Sequence, residues 1–149
     1  MIHESTSMRI RTTRLIVKFV ALLCLLAPGC AITQATAKDA EYEEKPLVVL
    51  VFDQNCKTWC ARVKPIMSEL QQEYGDKVLF AQLDATQSVM AETKKQAKQL
   101  GILPFFADFQ DYVPVVGFFT SHRKLVKELT GPKSKDDYRA NIDKAMSIK

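Results

Sequence analysis

The sequence predicts an α/β fold, a four-stranded mixed sheet flanked by three main helices in the order βαβαββα. Three observations carry that prediction. PLVVLVF, residues 46–52, is a continuous apolar and β-branched run of strand length, the pattern of a strand buried on both faces in a partly parallel sheet. Segments with apolar residues every three to four positions alternate with further strand-like runs. VPVVGFFT at 113–120 and KLVKELTG at 124–131 flank the short SHR segment and read as a hairpin. With 149 residues, 47% hydrophobic and 26% charged, the chain holds one globular domain and has no room for a second.

Residues 1–29 read as an address. Arg9, Arg11, Arg14 and Lys18 precede FVALLCLLA, an apolar run from Phe19 to Ala27 that Pro28 and Gly29 close. A membrane-spanning helix needs roughly 20 apolar residues, so the run fits a secretory signal better than a span. LLAPGC at 25–30 resembles a bacterial lipobox, with Cys30 as the lipidated new N-terminus, although Pro28 departs from the usual pattern. The competing cut follows ATA at 35–37 and would release a soluble body starting at Lys38. Cys30 abuts the apolar run, which favours the lipoprotein. The expected location is therefore the periplasm or cell envelope, with a membrane anchor on Cys30.

Residues 30–45 read as a tether, its 38–45 segment KDAEYEEK being charged and without an apolar face, to a domain spanning 46–149. After the first strand, Ala61, Val63, Ile66, Met67 and Leu70 recur at helical spacing until Gly75, and Pro65 is expected to kink that helix. VLFAQLD at 78–84 is a second strand, and SVMAETKKQAKQLG at 88–101 is a second helix stopped by its glycine. SKDDYRANIDKAMS at 134–147 begins as an N-capped amphipathic helix. LPFFADFQDY at 103–112 is more aromatic than a connection needs. Its Leu103, Phe105, Phe106, Phe109 and Tyr112 form either an exposed partner-binding lip or an extra turn of helix packed on the core.

Charge excludes one class of function. Arg9, Arg11, Arg14 and Lys18 against Glu4 supply +3 of the formal +4, leaving 17 basic against 16 acidic residues after position 29. A nearly neutral body with no basic stripe among its aromatics gives no footprint for nucleic acid. Cysteine usage is more informative. Of four cysteines, Cys24 leaves with the signal and Cys30 is lipidated or removed, so Cys56 and Cys60 remain. A redox dithiol, a metal site and a structural crosslink are the competing uses of such a pair, and an exported compartment favours a disulfide over a metal.

The order of elements, with a cysteine pair at the first strand-helix turn, resembles the thioredoxin fold over residues 46–147. The residues that carry the resemblance are Cys60 with Pro65 five positions later, ELQQEYGDKVLFAQLDATQ at 69–87, VPVVGFF at 113–119, and Gly131 before the final helix. It implies that Pro114, after Val113, has a cis peptide bond and lies beside Cys56 and Cys60. It also implies that partners are protein thiols and disulfides, that no cofactor or metal is needed, and that the chain acts as a monomer.

Two departures accompany the match. The family pattern is tryptophan followed by CxxC, whereas Lys57, Thr58 and Trp59 separate the cysteines here. Aligned without gaps from Pro65, Cys60 takes the second cysteine position and Lys57 the first; with one inserted residue, Cys56 is the first. The family's buried strand acid falls on Leu50 or Val51.

The wider spacing still suits a disulfide. On a helix, residues four apart lie roughly 6 Å apart between α-carbons, inside the ~4.4 to 6.8 Å that disulfides tolerate. A helix N-terminus also favours thiolate over thiol, and Lys57 adds to that if its ammonium points inward rather than into solvent. The expected function is thus an exported thioredoxin-like thiol-disulfide oxidoreductase, with Cys56 attacking, Cys60 resolving, and Trp59, Val113 and Pro114 contacting substrate. The alternatives are a non-catalytic binding module with a structural disulfide and a Cu(I) delivery protein. For copper the third ligand would be His122, in the SHR turn on the order of 20 Å from Pro114.

Overall fold

A computed structural model describes residues 45–148 of the chain. The basic stretch, the apolar run, Cys30, the two cleavage sites and all of the tether before Lys45 lie outside the described residues.

The strands are β1 (Leu47–Phe52), β2 (Leu79–Asp84), β3 (Val115–Phe119) and β4 (Leu125–Thr130). The helices are α1 (Trp59–Tyr74), α2 (Met90–Gln99), α3 (Leu103–Phe109) and α4 (Lys135–Ser147). The sheet has the order β2-β1-β3-β4, with β1 parallel to β2 and antiparallel to β3, and β3 antiparallel to β4. This is the predicted four-stranded mixed sheet with one helix more than predicted.

β1 is buried on both faces, as its unbroken apolar run requires. Leu47, Val49 and Val51 point to one side, where Leu83, Ala97, Ile102, Phe105 and Phe106 complete a core under α2 and α3. Val48 and Leu50 point to the other, against Val63, Met67 and Leu70 of α1 and Tyr138 and Ile142 of α4. The described residues therefore form a three-layer sandwich, with two hydrophobic cores separated by one sheet.

The local devices are mostly those the sequence announces. α1 runs from Trp59 through Pro65 to Tyr74 without ending, although the proline has no N–H to give back to Ala61. It buries Cys60, Val63, Met67 and Leu70, so its inner stripe starts at the cysteine and leaves Ala61 exposed. Gly75 closes α1 at a φ of 52°, a conformation that a side chain would disfavour. Ser134 and Asp137 form a reciprocal capping box at the start of α4.

The aromatic segment at 103–112 settles on the core. Phe105 and Phe106 are buried, and Phe105 meets Phe119 edge-on at 5.1 Å between ring centroids. A Cβ at Gly117 would stand 2.5 Å from Phe105 Cζ, so the glycine in β3 is what lets α3 lie flat on the sheet. Only Tyr112, 63% exposed, remains of the expected lip. Among the described residues no helix is long and apolar enough to cross a membrane.

Candidate functional site

The register of the sheet gathers four segments at one end. β1 leaves the sheet at Phe52, opposite Asp84 of β2, and Val51 lies opposite Val115, the residue after Pro114. Val115 in turn faces Thr130, and the amide of Gly131 donates to the Pro114 carbonyl at 2.8 Å. The cysteine loop, the turn after β2, the Val113–Pro114 bond and Gly131 therefore meet at the same edge. The Val113–Pro114 peptide bond is cis, as the resemblance implied.

Cys56 is not on the helix. α1 begins at Trp59, and Cys56 sits in the preceding turn, where its amide donates to the Asp53 carbonyl at 3.1 Å and the Lys57 amide donates to the Asn55 carbonyl at 3.0 Å. The expected meeting of two cysteines four apart on one helical face is thus replaced by a folded loop presenting Cys56 to Cys60 in the first turn. The turn residues Asp53 and Asn55 drive this, since the Asp53 carboxylate also accepts from the Asn55 amide at 2.6 Å and closes a local turn that competes with helix.

Both cysteines are free thiols; Cys56 is half-buried and Cys60 buried, with 2% of its surface exposed. Burial, and then a hydrogen bond with Cys56, pushes the Cys60 thiol up from 9.0 to about 11, against the lowering effects of the Asp53 backbone N–H and the Lys64 charge. The pair is asymmetric: one sulfur is reachable and the other holds its proton inside. Lys57, aligned with the family's first cysteine when no gap is allowed, is exposed. Trp59 is 54% exposed beside the pair, with the Arg62 guanidinium 5.9 Å from its ring, so it is not core packing.

The raised Cys60 value has a consequence for the reduced protein. Folding raises the thiol above its unfolded value, so this contribution to stability is fully present below about 9 and is lost as pH rises toward about 11. Chemical denaturation of the reduced chain between pH 8 and 11 is expected to show a falling midpoint. A Cys60→Ser variant should lack that part of the fall.

Several residues that shape the site carry no obvious signature in the sequence. Asp84, Thr86 and Gln54 lash the cysteine loop to the end of β2: the Gln54 amide donates to Thr86 Oγ1 at 3.0 Å, the Gln54 side chain donates to Asp84 Oδ2, and Asp84 Oδ1 accepts from the Thr86 amide at 2.9 Å and from its hydroxyl at 2.5 Å. Burial works to raise the Asp84 carboxyl, but the hydrogen bonds from Thr86 and Gln54, with the Lys64 charge, hold it below its ordinary value. An aspartate two residues before a threonine at the end of a buried strand is the usable signal, because that spacing builds a side-chain turn.

His122 lies in the turn closed by the Arg123 amide on the Thr120 carbonyl, at the opposite end of β3 from Pro114. The fold does not bring it to the cysteines. Among the described residues no three metal-ligating side chains converge. Leu50 and Val51, at the family's acid positions, are fully buried among apolar neighbours.

No family model matches the chain, and no curated protein does. Solved structures do match. The short form of thioredoxin f from spinach chloroplast is 30% identical, with 77% of this chain and 88% of that one covered and a TM-score of 0.52. A pneumococcal exposed lipoprotein thioredoxin from Streptococcus pneumoniae TIGR4 shares the fold at 20% identity, with 71% of this chain and 89% of that one covered and a TM-score of 0.51. A thiol:disulfide interchange protein of the thioredoxin family from Chlorobium tepidum TLS shares it at 18% identity, with 73% and 85% covered and a TM-score of 0.52.

Proposed function

The chain belongs to the thioredoxin family, and from that premise we propose that it is an exported thiol-disulfide oxidoreductase that works on protein disulfides through Cys56 and Cys60. The observation that carries this is the asymmetry of the pair, a half-buried Cys56 hydrogen-bonded to a buried Cys60 whose thiol is pushed up to about 11, at the sheet end that also bears the cis Val113–Pro114 bond.

In the reducing direction, the Cys56 thiolate attacks one sulfur of a partner disulfide. A bond forms between Cys56 and that sulfur, the partner's S–S bond breaks, and its second sulfur leaves as a thiolate. Cys60 then gives up its proton, which the partner thiolate released in the first exchange takes up directly or through solvent, and attacks Cys56 Sγ. The Cys56–Cys60 disulfide forms, the mixed disulfide breaks, and the partner leaves as a dithiol, two electrons having passed to it from the chain. The oxidising direction is the same sequence reversed, and an external dithiol or disulfide resets the pair. Exposed Trp59 and half-buried Val113 are the surfaces a bound partner strand would touch, with buried Pro114 holding the backbone of that edge from behind.

Cys30 is proposed as the lipid-bearing residue that holds the domain at the cell envelope, a reading supported by the LLAPGC sequence and by the lipoprotein among the structural neighbours.

A second reading has one observation in its favour. Buried Leu50 and Val51 leave no proton-shuttling acid on β1, which suits a binding module whose disulfide only stiffens the loop. Equilibration of the pair in graded dithiol buffers separates the two. A reversible two-electron transition supports the oxidoreductase, and a disulfide that resists reduction supports the module.

A further inference from the structure

Lys64 follows Cys60 by four residues, so both side chains leave the same face of α1. Its Nζ lies 3.6 Å from the centroid of the Phe52 ring, where the π face holds an ammonium close against the protein. Phe52 is paired in register with Asp84. The ammonium is thereby delivered to the sheet end where the Asp84 carboxylate is lashed by Thr86 and by Gln54 of the cysteine loop. We propose that Lys64 is the charge that makes the buried Cys60 sulfur available as a thiolate in the resolving step, and that Asp84 is a positioning carboxylate that moderates this charge and ties it to the loop carrying Cys56.

The inference rests on the oxidoreductase role proposed above and adds the groups that control its second half. A sulfur as buried as Cys60 resists ionisation, and with no acid on β1 the proton must leave by some other electrostatic help. The charged and titratable groups that face Cys60 are few. Cys56 comes from the loop and Lys64 from its own helix, Asp53 contributes only a backbone N–H, and the cis Val113–Pro114 segment at the same sheet end carries no charge. Among the described residues Lys64 is the one cation acting on the Cys60 thiolate, and it acts on the Asp84 carboxylate as well. As Cys60 attacks Cys56 Sγ, the electron pair of the broken mixed disulfide leaves on the partner sulfur.

The test follows the Cys60 thiolate directly, by pH titration of its ¹³Cβ resonance in the cysteine-labelled full chain carrying Cys56→Ser. Loss of the signal in a Cys56→Ser, Cys60→Ser chain identifies it. Adding Lys64→Met is expected to lower the thiolate fraction at fixed pH by about 3- to 10-fold, the size of effect a partly screened unit charge one helical turn away produces. Lys64→Arg, which keeps the charge, should restore most of it. Asp84→Asn should act in the opposite direction, raising the thiolate fraction by about 2- to 3-fold. The proposal is overturned if Lys64→Met titrates with its parent, or if Asp84→Asn shifts the thiol the same way as Lys64→Met. Because no turnover is involved, a Lys64-dependent titration in a chain without a reversible dithiol transition would uphold the charge assignment and remove the oxidoreductase role.

Discussion

In a chain carrying Cys60→Ser, partner proteins accumulate as covalent adducts on Cys56, and turnover of a protein disulfide falls on the order of 100-fold or more, as for other residues that act as one catalytic unit. The reason is the order of events that burial imposes. Cys56 is the sulfur a bulky disulfide can reach, whereas Cys60 lies in the first turn of α1 with 2% of its surface exposed. Removing Cys60 leaves the first exchange intact and deletes the attack that resolves it. Mass spectrometry of non-reduced adducts reads the trapped sulfur directly. Trapping by Cys56→Ser instead would reverse the two roles, and would mean that the loop opens far enough to bring Cys60 to the surface.

Phe106→Ala is expected to destabilise the fold by about 3–5 kcal/mol, the usual loss for deleting a fully buried aromatic ring. Phe106 is completely buried in the core that α2 and α3 build on one face of the sheet. Tyr112→Ala, at the exposed end of the same aromatic segment, should change stability by no more than about 0.5 kcal/mol. Urea denaturation of the two variants measures both. A Phe106→Ala chain that keeps its stability but loses partner capture would restore the exposed lip in place of the packed helix.

The sequence made the scaffold legible because strand and helix periods are written in apolar positions. The unbroken PLVVLVF run marked the strand buried on both faces, and SKDDYRANIDKAMS announced an N-capped α4, whose cap proves to be a Ser134–Asp137 box that needs only local spacing. Pro114 was legible through resemblance, since nothing in an isolated Val-Pro pair sets its isomer. The aromatics of 103–109 were ambiguous because composition does not say whether a ring faces the core; Gly117, whose missing side chain makes room for Phe105, decides it from another part of the chain.

The geometry of the cysteines was half legible. Their spacing showed that they could meet, but Asp53 and Asn55 turn the backbone so that Cys56 stays off the helix. Lys64 and Asp84 were not singled out, because the sheet register that puts Phe52 opposite Asp84 is a property of the pairing and not of either segment alone.

The redox equilibrium of Cys56 and Cys60 tests the oxidoreductase assignment most directly. The full chain is equilibrated in graded dithiol buffers and alkylated, and mass spectrometry of the peptide bearing both residues reads the fraction oxidised without interference from Cys24 and Cys30. A reversible two-electron transition between roughly −120 and −270 mV, the range of thiol-disulfide exchange proteins, is the expected result. A disulfide that stays intact below about −300 mV would contradict it, and would make the pair a structural staple in a binding module.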